Sequence, residues 1–596
     1  MTSAPATAPT TPAPEPARSS AAEPVRRPWV PRLVSLLCLL TGLLDLVSAL
    51  TRAERARIHE LSMLVPGALT TASNALTLVT GILLVLLARG LRRRKRRAWQ
   101  ITVGLLLGSV ALHLLKGLDV EEATVALLLL AGMVVLRKEF YAEGDPRTRW
   151  RALGVGVSLF VTSYVLGLAF IGIRDEALVR PFSVTVASQE VLEGLVGIDG
   201  PLEYTNNRRG RATDRLVSDA LLALGALTFL STAYLVLRPA EPVARLSADD
   251  EARMRALLAR HGARDSLGYF ALRRDKSVIW SPTGKACIAY RVVSGVMLAS
   301  GDPLGDPEAW PGAITAFLTR ADRHAWTPAV MGCSEQAGTA WSRAGLSALE
   351  IGDEAVVEVA EFSLEGRAMR NVRQAVARVE RAGYRTEVRR SRDIGVEEGV
   401  RLQQQAEAWR GAETERGFSM ALGRFGDSAD PDCVAVMAFQ EGALRAFLHF
   451  VPWGTDGLSL DLMRRDRDAD NGLNELLISK ALAAGPELGV TRFSLNFAVF
   501  RSSLERGERL GAGPVLRAWR GFLLFASRWF QIETLYRFNA KFRPIWEPRY
   551  VCYPTAKDLP RVALAALEAE AFLVWPHLGR RRHQPQVPAA TVATTT

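Results

Sequence analysis

The sequence has few of the residues that build disulfide frameworks and metal centres. Its 596 residues include five cysteines and seven histidines. No two cysteines form a CxxC pair, and no two histidines stand at a ligand spacing such as HxxxH. A disulfide scaffold, a thioredoxin-like redox motif and a zinc enzyme are therefore disfavoured. Widely spaced thiols fit a reducing, cytoplasmic environment.

Signatures of nucleotide and hydrolase chemistry are missing as well. The segment SPTGKA at 281–286 has a Gly-Lys pair, but it lacks the preceding glycine and the Ser or Thr of a Walker A loop. No GxSxG sequence is present, which disfavours a serine hydrolase. No convincing Q/RxxGxG/A loop supports an acetyl-CoA-dependent acetyltransferase. The sequence therefore predicts no metal ion and no cofactor.

Negative charge is in deficit, and the basic residues are nearly all arginine. Lys and Arg number 74 against 62 Asp and Glu, the formal net charge is +12 at pH 7, and only eight residues are lysine. An excess of base indicates an anionic partner, either nucleic acid, phospholipid headgroups or both. Because lysine is scarce, Lys541 stands out as a compact cation whose pKa can shift.

Long apolar runs are confined to the first 240 residues. Residues 1–29 are rich in Ala, Pro, Thr and Ser, so we expect a disordered tail. Apolar stretches close to the roughly 20 residues that cross a bilayer then follow at 33–50, 69–89, 101–117, 121–136, 152–173 and 217–237. These six spans predict a multi-spanning α-helical membrane domain over residues 30–240.

The charges of the loops orient these spans. Basic clusters follow the second span at 92–97 and the fourth span at 137–151, and cytoplasmic loops carry an excess of Lys and Arg. We therefore expect a multi-pass protein of the cell membrane with both termini in the cytoplasm. Four arginines disagree because they fall in the loop assigned to the outside, namely Arg208, Arg209, Arg211 and Arg215.

After Pro239 no apolar run is long enough to span a membrane, and short strands alternate with amphipathic helices to about residue 575. For example, CVAVMAFQ is joined to ALRAFLHFVPW by a Glu-Gly turn, which is typical of a β-hairpin. This pattern predicts a mixed α/β domain over 245–575. The basic, low-complexity tail at 579–596 is expected to be disordered.

Two segments of this domain are rich in turn residues or in arginine. SGDPLGDP (300–307) is typical of a tight connection to an N-capped helix, and the alternative is an anion site at the helix N-terminus. The helix at 367–383 either tracks a phosphate backbone or presents an ordinary solvated face with Arg367, Arg370, Arg373, Arg378 and Arg381.

Two further segments combine charge with strand patterns. In DLMR (461–464), Asp461 and Arg464 converge on one cleft if side-chain alternation relaxes at the strand end. The alternative is an exposed strand end with a structural ion pair. YRFNAKFRPIWEPRYVCYP (536–554) combines aromatic rings with the cations Lys541, Arg543 and Arg549, and its alternative is a basic surface segment packed under a helix.

With these segments in place, the chain resembles the MprF family of aminoacyl-phosphatidylglycerol synthases. The matching motifs occur in the family's order and are SGDPLGD (300–306), GFSMALGRF (417–425), DLMR (461–464), RFSLNFAVFR (492–501) and YRFNAKFRPIWEPRYVCYP (536–554). The resemblance implies two tandem acetyltransferase-like (GNAT-like) units, about 245–355 and 356–575. It also implies transfer of an aminoacyl group, lysyl in the type activity, from aminoacyl-tRNA to phosphatidylglycerol at the inner membrane face. Lower negative charge on the membrane then gives resistance to cationic antimicrobial peptides.

The resemblance further implies a transfer site in the second unit. We expect Asp461 to orient the lipid hydroxyl or to bind the substrate ammonium, and Arg464 to hold a phosphate. Lys541 and Arg543 then stabilise the developing oxyanion and the leaving oxygen. The side chains expected to bind substrate are Glu505, Arg549, Arg370, Arg373, Phe418 and Asn496. On an alternative interpretation, Arg549 forms a structural pair with Glu547.

Aminoacyl-tRNA, phosphatidylglycerol and the membrane are the expected partners, and a homo-oligomer is compatible with the sequence. No lysyl-tRNA synthetase module is recognised, so we expect a separate enzyme to charge the tRNA. Two alternatives stay open. One is a transferase of the same fold with another lipid or a peptidoglycan precursor as acceptor, and the other is a non-catalytic membrane lipid transporter or scaffold.

Overall fold

A computed structural model describes the chain over residues 29–50, 80–88, 90–115, 120–142, 146–198, 200–237, 242–411, 417–499 and 532–573. The chain divides into two compact units, Met1–Arg238 and Pro239–Thr596. In its described residues the first unit consists mainly of helices, and the second is built around one large β-sheet.

The helices of the first unit are rich in Leu, Val and Ala. They are α1 (Val30–Leu50), α2 (Arg96–Leu115), α3 (Val120–Val135), α4 (Pro146–Gly172), α5 (Val184–Gly194) and α6 (Arg208–Leu237). Within the described ranges of this unit, two stretches are long and apolar enough to cross a bilayer, Gly154–Gly172 and Arg208–Ala233. The six-span count stays a prediction, and most of the predicted span 69–89 lies outside the described residues.

The last predicted span differs from the observed helix at its start. α6 begins at Arg208 and not near 217, so the four arginines that conflict with the predicted topology lie in its first turns. Arg209 there is exposed and lies 3.8 Å from Glu176. α6 packs on α4 through small and hydroxyl side chains, as membrane helices commonly do, with a 2.9 Å hydrogen bond between Ser163 and Thr228.

The second unit is organised by a 12-stranded sheet. In chain order its strands are β1 (Ser277–Trp280), β2 (Ala286–Val293), β3 (Val296–Ser300), β4 (Leu304–Gly305), β5 (Thr327–Cys333), β6 (Ser347–Glu358), β7 (Arg385–Arg390), β8 (Val434–Gln440), β9 (Ala443–Trp453), β10 (Gly457–Arg465), β11 (Arg492–Val499) and β12 (Ile545–Tyr553). In space they follow the order β1-β2-β3-β5-β12-β6-β11-β10-β9-β8-β7, and β4 pairs with β2.

The sheet is mixed, since β3 is parallel to β5 and β10 is parallel to β11 while the other neighbours are antiparallel. The last strand, β12, lies between β5 and β6. The mixed α/β architecture predicted for this part of the chain is confirmed. The unit boundary predicted near residue 355 falls inside β6, and the division into two GNAT-like units stays a prediction.

Helices cover both faces of this sheet. They are α7 (Ala248–His261), α8 (Trp310–Arg323), α9 (Glu335–Arg343), α10 (Arg370–Arg381), α11 (Val396–Arg410), α12 (Leu473–Ala483), α13 (Gly485–Leu488), α14 (Ile532–Ala540) and α15 (Leu559–Ala569). Side chains of a strand alternate between faces, so Met297 of β3 packs in a core with α8 and Leu298 in a core with α15. Likewise Val436 of β8 packs with α10 and α12, and Met437 packs with α11.

Arg549 of β12 is a buried cation at the centre of the sheet. Its guanidinium donates to Asp265 and to the Ser266 hydroxyl, both at 2.8 Å, and to Glu354 of β6 at 2.9 Å. Burial opposes its charge, but Glu354 and Asp265 raise the pKa of Arg549 well above its usual value. Because Ser494 of β11 also donates to Glu354, the network joins β6, β11, β12 and the segment that precedes β1.

Lys276, next to β1, is a second buried cation. Its Nζ donates to the Phe270 carbonyl at 3.0 Å and to the Ser300 hydroxyl at 2.6 Å, and it lies 4.6 Å from the centre of the Phe418 ring. Burial, assisted by repulsion from Arg273, lowers the pKa of Lys276 to about 7. The ammonium therefore loses its proton far more readily in the folded chain than in the unfolded chain.

Removing the buried guanidinium should destabilise the second unit. Arg549→Met leaves the carboxylates of Asp265 and Glu354 buried without their cation, and breaking a buried pair costs about 3–5 kcal/mol. The free energy of unfolding is measured by urea denaturation of the full chain in detergent, followed by tryptophan fluorescence. Arg343→Met, at an exposed arginine of α9, is the control. A loss within about 0.5 kcal/mol, as for a surface substitution, would contradict the prediction.

Lys276 should make stability depend on pH. Between the folded pKa of about 7 and the ordinary value of 10.5, the unfolded chain binds the proton and the folded chain does not, so stability rises with pH in this window. Compared with Lys276→Met, the wild type should gain about 1.4 kcal/mol of unfolding free energy per pH unit between pH 8 and 9. The same urea titrations check this, with Lys557→Met, at an exposed lysine, as control. A difference independent of pH would contradict it.

Candidate active site

The parallel strands β10 and β11 separate partway along their length. Their ladder joins Gly457–Ser459 to Arg492–Ser494. Each strand then shifts register against its other neighbour, β10 between Leu460 and Leu462, and β11 between Ser494 and Phe497. Such bulges bend strands and are frequent next to active sites. We call the opening between the two strands beyond their ladder the divergence cleft.

Side-chain amides bind the strand carbonyls at this opening. Asn496 Nδ2 donates to the Leu460 carbonyl at 2.7 Å, and Asn539 of α14 donates to the Leu495 carbonyl at 3.2 Å. Asn496 has a φ of +69°, a left-handed conformation in which asparagine is enriched. Its Oδ1 is buried and has no partner within the described part of the chain. Asn496, a predicted substrate-binding residue, thus lies at the cleft with an unpaired acceptor.

Asp461 lies at the β10 bulge, in the middle of the strand. One carboxylate oxygen accepts the Leu422 N–H at 2.6 Å, and the other lies 2.6 Å from His449 Nδ1 of β9. Both side chains are almost fully buried, and Phe425 packs edge-on against the imidazole with ring centres 4.9 Å apart. DLMR thus forms the last part of β10 before its end at Arg465, as predicted, and Asp461 itself lies at the bulge.

The pair of Asp461 and His449 has a defined proton arrangement. An ionised carboxylate only accepts hydrogen bonds, so the Nδ1 of His449 is the donor and its Nε2 is left as a proton acceptor. Nε2 makes no hydrogen bond among the described residues. An imidazole held in this tautomer by a buried carboxylate is a suitable general base.

Sequence reasoning missed His449. A single histidine within the apolar run of a strand resembles a core residue. The pairing of the strand with its neighbour, however, indicates that His449 lies near a carboxylate. Trp453 pairs with Gly457 across the turn, and counting four residues outward on each strand puts His449 next to Asp461; the bulge of β10 moves the ladder partner of His449 to Leu462. Pairing the strand ALRAFLHFVPW with the strand GLSLDLMRR would have brought the two side chains together.

The GFSMALGRF segment (417–425) binds two carboxylates through its backbone. The Phe418 N–H donates to Glu570 at 2.6 Å and the Ser419 N–H at 3.0 Å, while Leu422 donates to Asp461 as above. The Phe418 ring is fully buried against Lys276 and at 5.2 Å from Arg291. Phe418 therefore packs inside the second unit beside two cations, and its contact with substrate stays a prediction.

The predicted cations of the α14–β12 turn are exposed. Lys541 Nζ forms an ion pair of 2.8 Å with Glu475 in the first turn of α12, and the Lys541 side chain is 41% exposed. Arg543 is exposed and adopts a φ of +53°. Phe542, between them, is buried in the core with α12. The buried ring therefore fixes the turn and leaves the two cations at the surface.

Arg464 lies further along β10, opposite Phe447 of β9. The side chain is partly buried, and its guanidinium donates to the Met463 carbonyl at 3.3 Å. Asp461 binds Leu422 and His449. It does not form the structural ion pair that the alternative interpretation of DLMR predicted.

Two of the predicted assignments change once burial is known. The structural pair expected for Arg549 was Glu547, but Arg549 binds Glu354 and Asp265 while Glu547 is exposed. Arg549 is 3% exposed and its donors are occupied within the sheet, so a direct contact with substrate is not supported. Glu505 lies outside the described residues.

The arginines of α10 cover the exposed side of an amphipathic helix. Val372, Val376 and Val379 are buried. Arg370 is exposed, whereas Arg373 donates to the carbonyls of Leu364 and Gly366. Arg370 is thus available at the surface, and Arg373 also fastens the turn that precedes the helix.

SGDPLGDP forms the tight connection that the turn residues predict. Asp306 caps the following helical turn by accepting the Glu308 N–H at 3.0 Å. Asp302 is buried and accepts the Ser334 N–H at 2.7 Å and the Ser334 hydroxyl at 2.6 Å. Burial, together with the nearby Asp265, raises the pKa of Asp302 to about 7.

The two units match different family models. Residues 255–553 match the model described as phosphatidylglycerol lysyltransferase, C-terminal. Residues 26–237 match the model described as the transmembrane region of lysyl-tRNA synthetase. The first match spans half of the chain and contains the divergence cleft.

Curated relatives are similar over nearly the whole chain. The lysylphosphatidylglycerol biosynthesis bifunctional protein LysX of Rhodococcus opacus (strain B4) is 40% identical over 99% of this chain and 53% of its own length. The protein of the same name from Nocardia farcinica (strain IFM 10152) is 45% identical over 83% of this chain and 44% of its own length. The chain thus spans about half the length of the curated relatives it matches.

Solved structures are similar to the second unit. The C-terminal domain (DUF2156) of a putative lysylphosphatidylglycerol synthetase from Agrobacterium fabrum is 26% identical, with a TM-score of 0.46, and covers 55% of this chain and 98% of that one. L-PGS from Bacillus licheniformis is 24% identical, with a TM-score of 0.46, over 56% and 99%. The family resemblance predicted from the motifs is confirmed by the model match at 255–553, and the chain belongs to the phosphatidylglycerol lysyltransferase C-terminal family.

Proposed function

We propose that the chain transfers a lysyl group from lysyl-tRNA to phosphatidylglycerol. Membership of the family and the names of the curated relatives support this activity. The observation that carries the proposal is the buried pair of Asp461, on the β10 strand that borders the divergence cleft, and His449 of the neighbouring strand β9. Transfer of an acyl group to a hydroxyl requires a proton acceptor beside that hydroxyl, and this pair supplies one.

The reaction exchanges one ester for another. The oxygen of the lipid's glycerol hydroxyl attacks the aminoacyl carbonyl carbon, a new C–O bond forms, and the C–O bond to the ribose oxygen of the tRNA breaks. His449 Nε2 takes the proton of the lipid hydroxyl and returns it to the leaving ribose oxygen, while Asp461 holds the Nδ1–H. Asp461 thus orients the lipid hydroxyl through His449.

The predicted cations are assigned to the stabilisation of negative charge. Lys541 and Arg543 face the oxyanion of the tetrahedral intermediate and the leaving oxygen, where electrostatic stabilisation is usually the largest contribution. Arg464 holds a phosphate through its planar guanidinium. Arg370 of α10 contacts the RNA backbone, and Asn496 contributes its unpaired oxygen to substrate binding.

The membrane unit completes this proposal. Six spans in a multi-pass arrangement, with both termini cytoplasmic, bring the second unit to the inner face of the cell membrane. There the two tandem GNAT-like units meet both substrates. The added ammonium offsets the phosphate charge of the lipid and weakens the attraction of cationic peptides, which gives resistance to them.

The role of the buried pair is tested with purified full chain, labelled lysyl-tRNA and phosphatidylglycerol vesicles. Asp461→Asn and His449→Gln should each lower kcat by about 10²–10⁴-fold, with little change in the KM for lysyl-tRNA, because the pair moves a proton. Asp456→Asn, an exposed carboxylate of the same hairpin, should retain activity. Near-normal kcat in both variants would exclude this active site, provided that their thermal unfolding is unchanged.

Variants at the two ends of the Lys541–Glu475 ion pair test whether Lys541 acts in catalysis or only stabilises the fold. Lys541→Met should lower kcat/KM by about 10²-fold, as loss of an oxyanion donor does, whereas Glu475→Gln removes the partner and should leave the rate near normal. Equal losses in the two variants would show instead that the pair has a structural role. Initial rates of lipid lysylation provide the measurement.

The acceptor is tested with the lipid composition. Labelling should require phosphatidylglycerol and be absent from vesicles of a zwitterionic lipid alone. Equal labelling of vesicles without phosphatidylglycerol would favour the second candidate, a transferase that acts on another lipid or on a peptidoglycan precursor.

A further inference from the structure

A basic pocket is formed by elements other than those of the divergence cleft. It has a volume of about 420 Å³ and lies between α7 and the turn that joins β1 to β2. Arg253 and Arg260 of α7, Trp280 of β1, Lys285 of the turn and Asp306 are among the residues that line it. Because Arg253 and Arg260 are seven residues apart, they lie on one side of the helix.

The cations that line this pocket outnumber its lining carboxylates. Arg260 and Lys285 are exposed and form no ion pair with any carboxylate in the described ranges. Arg253 approaches Asp249 only to 4.0 Å, at the outer limit of an ion pair. Three cations therefore line a concave surface together with the carboxylate of Asp306, while Asp249 and Asp250 adjoin Arg253 and Trp280.

One of the cations is held in a fixed orientation. The Arg253 guanidinium lies 3.8 Å from the centre of the Trp280 ring, and the indole is itself fastened by a 2.8 Å hydrogen bond from its Nε1 to Asp250. A guanidinium stacked on a ring keeps its edge free for hydrogen bonds, and its fork matches the geometry of a phosphate. The pocket thus presents an oriented guanidinium between two further cations.

The surroundings favour a water-soluble polyanion over a lipid surface. The apolar side chains that line the pocket are Ala256, Leu257 and Trp280. Neither Leu257 nor Trp280 is among the strongly exposed large apolar side chains of the described residues. A surface that inserts between acyl chains needs such side chains. RNA offers one phosphate charge for about every 3.4 Å of each strand, which suits several cations grouped in one pocket.

We propose that this pocket binds backbone phosphates of the RNA donor at a distance from its reacting aminoacyl end. The inference rests on the proposed function, because it takes aminoacyl-tRNA as the donor. Arg253 forms a bidentate contact with one phosphate, and Arg260 and Lys285 contact its neighbours. The pocket adds affinity for the donor and takes no part in the chemical step.

The experiment measures binding of a tRNA transcript to the full chain in nanodiscs of zwitterionic lipid, as a function of salt. The double variant Arg260→Glu/Lys285→Glu is compared with the wild type. The control, Arg343→Glu/Lys557→Glu, makes the same change of charge at an exposed arginine and an exposed lysine outside the pocket. Arg260→Gln/Lys285→Gln replaces the first variant if charge reversal impairs folding.

The pocket variant should bind the transcript at least about tenfold more weakly at low salt. The slope of log K against log salt should fall in magnitude by about two, since each lost phosphate contact removes about one unit. The control should match the wild type. Transfer of the lysyl group from a short aminoacylated trinucleotide should proceed at the wild-type rate, because that donor does not reach the pocket.

The outcomes separate this inference from the proposed function. If the wild type binds the transcript and both double variants bind it equally well, the pocket proposal is overturned and the proposed function stands. If the wild type does not bind the transcript at all, the proposed function itself fails. A variant that keeps full affinity for the transcript but needs more phosphatidylglycerol for activity would assign the pocket to lipid and overturn the proposal.

Discussion

The guanidinium of Arg549 is the interaction on which the geometry of the second unit depends. It binds Asp265 and Glu354, which are far from it in sequence, and it lies on the strand that returns between β5 and β6. Separating these groups leaves buried charges without partners, which costs several kcal/mol for each ion. Because Ser494 donates to the same Glu354, the network also fixes the position at which the β10–β11 ladder ends.

The divergence cleft begins at the position where the β10–β11 ladder ends. Where two parallel strands stop pairing, their carbonyls need other donors, and the amides of Asn496 and Asn539 supply them. The bulge on β10 then places Asp461 beside His449. In the proposed reaction the aminoacyl ester is already activated, so the main contribution required of the protein is to hold the reacting groups in position. A cleft bounded by bulges, amide contacts and a buried ion network provides that rigidity.

The sequence predicted the membrane and α/β parts and several residues at the cleft, yet it misassigned burial. Arg549 and Phe418 stand in basic or glycine-containing segments that resemble binding sites. Their buried environment comes from Asp265, Lys276 and Glu354, which lie more than 100 residues away along the chain. Local patterns carry no information about such contacts. His449 was missed for the opposite reason, because its hydrogen-bond partner, Asp461, is visible only once β9 and β10 are paired residue by residue.

The net charge of the chain cannot be interpreted as a count of cations available to anions. Arg549 and Lys276 are buried and bind groups inside the second unit, and Lys541 is paired with Glu475. Two groups of exposed cations lie on α10 and in the pocket beside α7. Separate groups of this kind suit a long polyanion, since binding at one group raises the effective concentration of the RNA at the other. Contacts of exposed cations with such a polyanion are individually weak and screened by salt, which is the salt dependence that the proposed RNA pocket predicts.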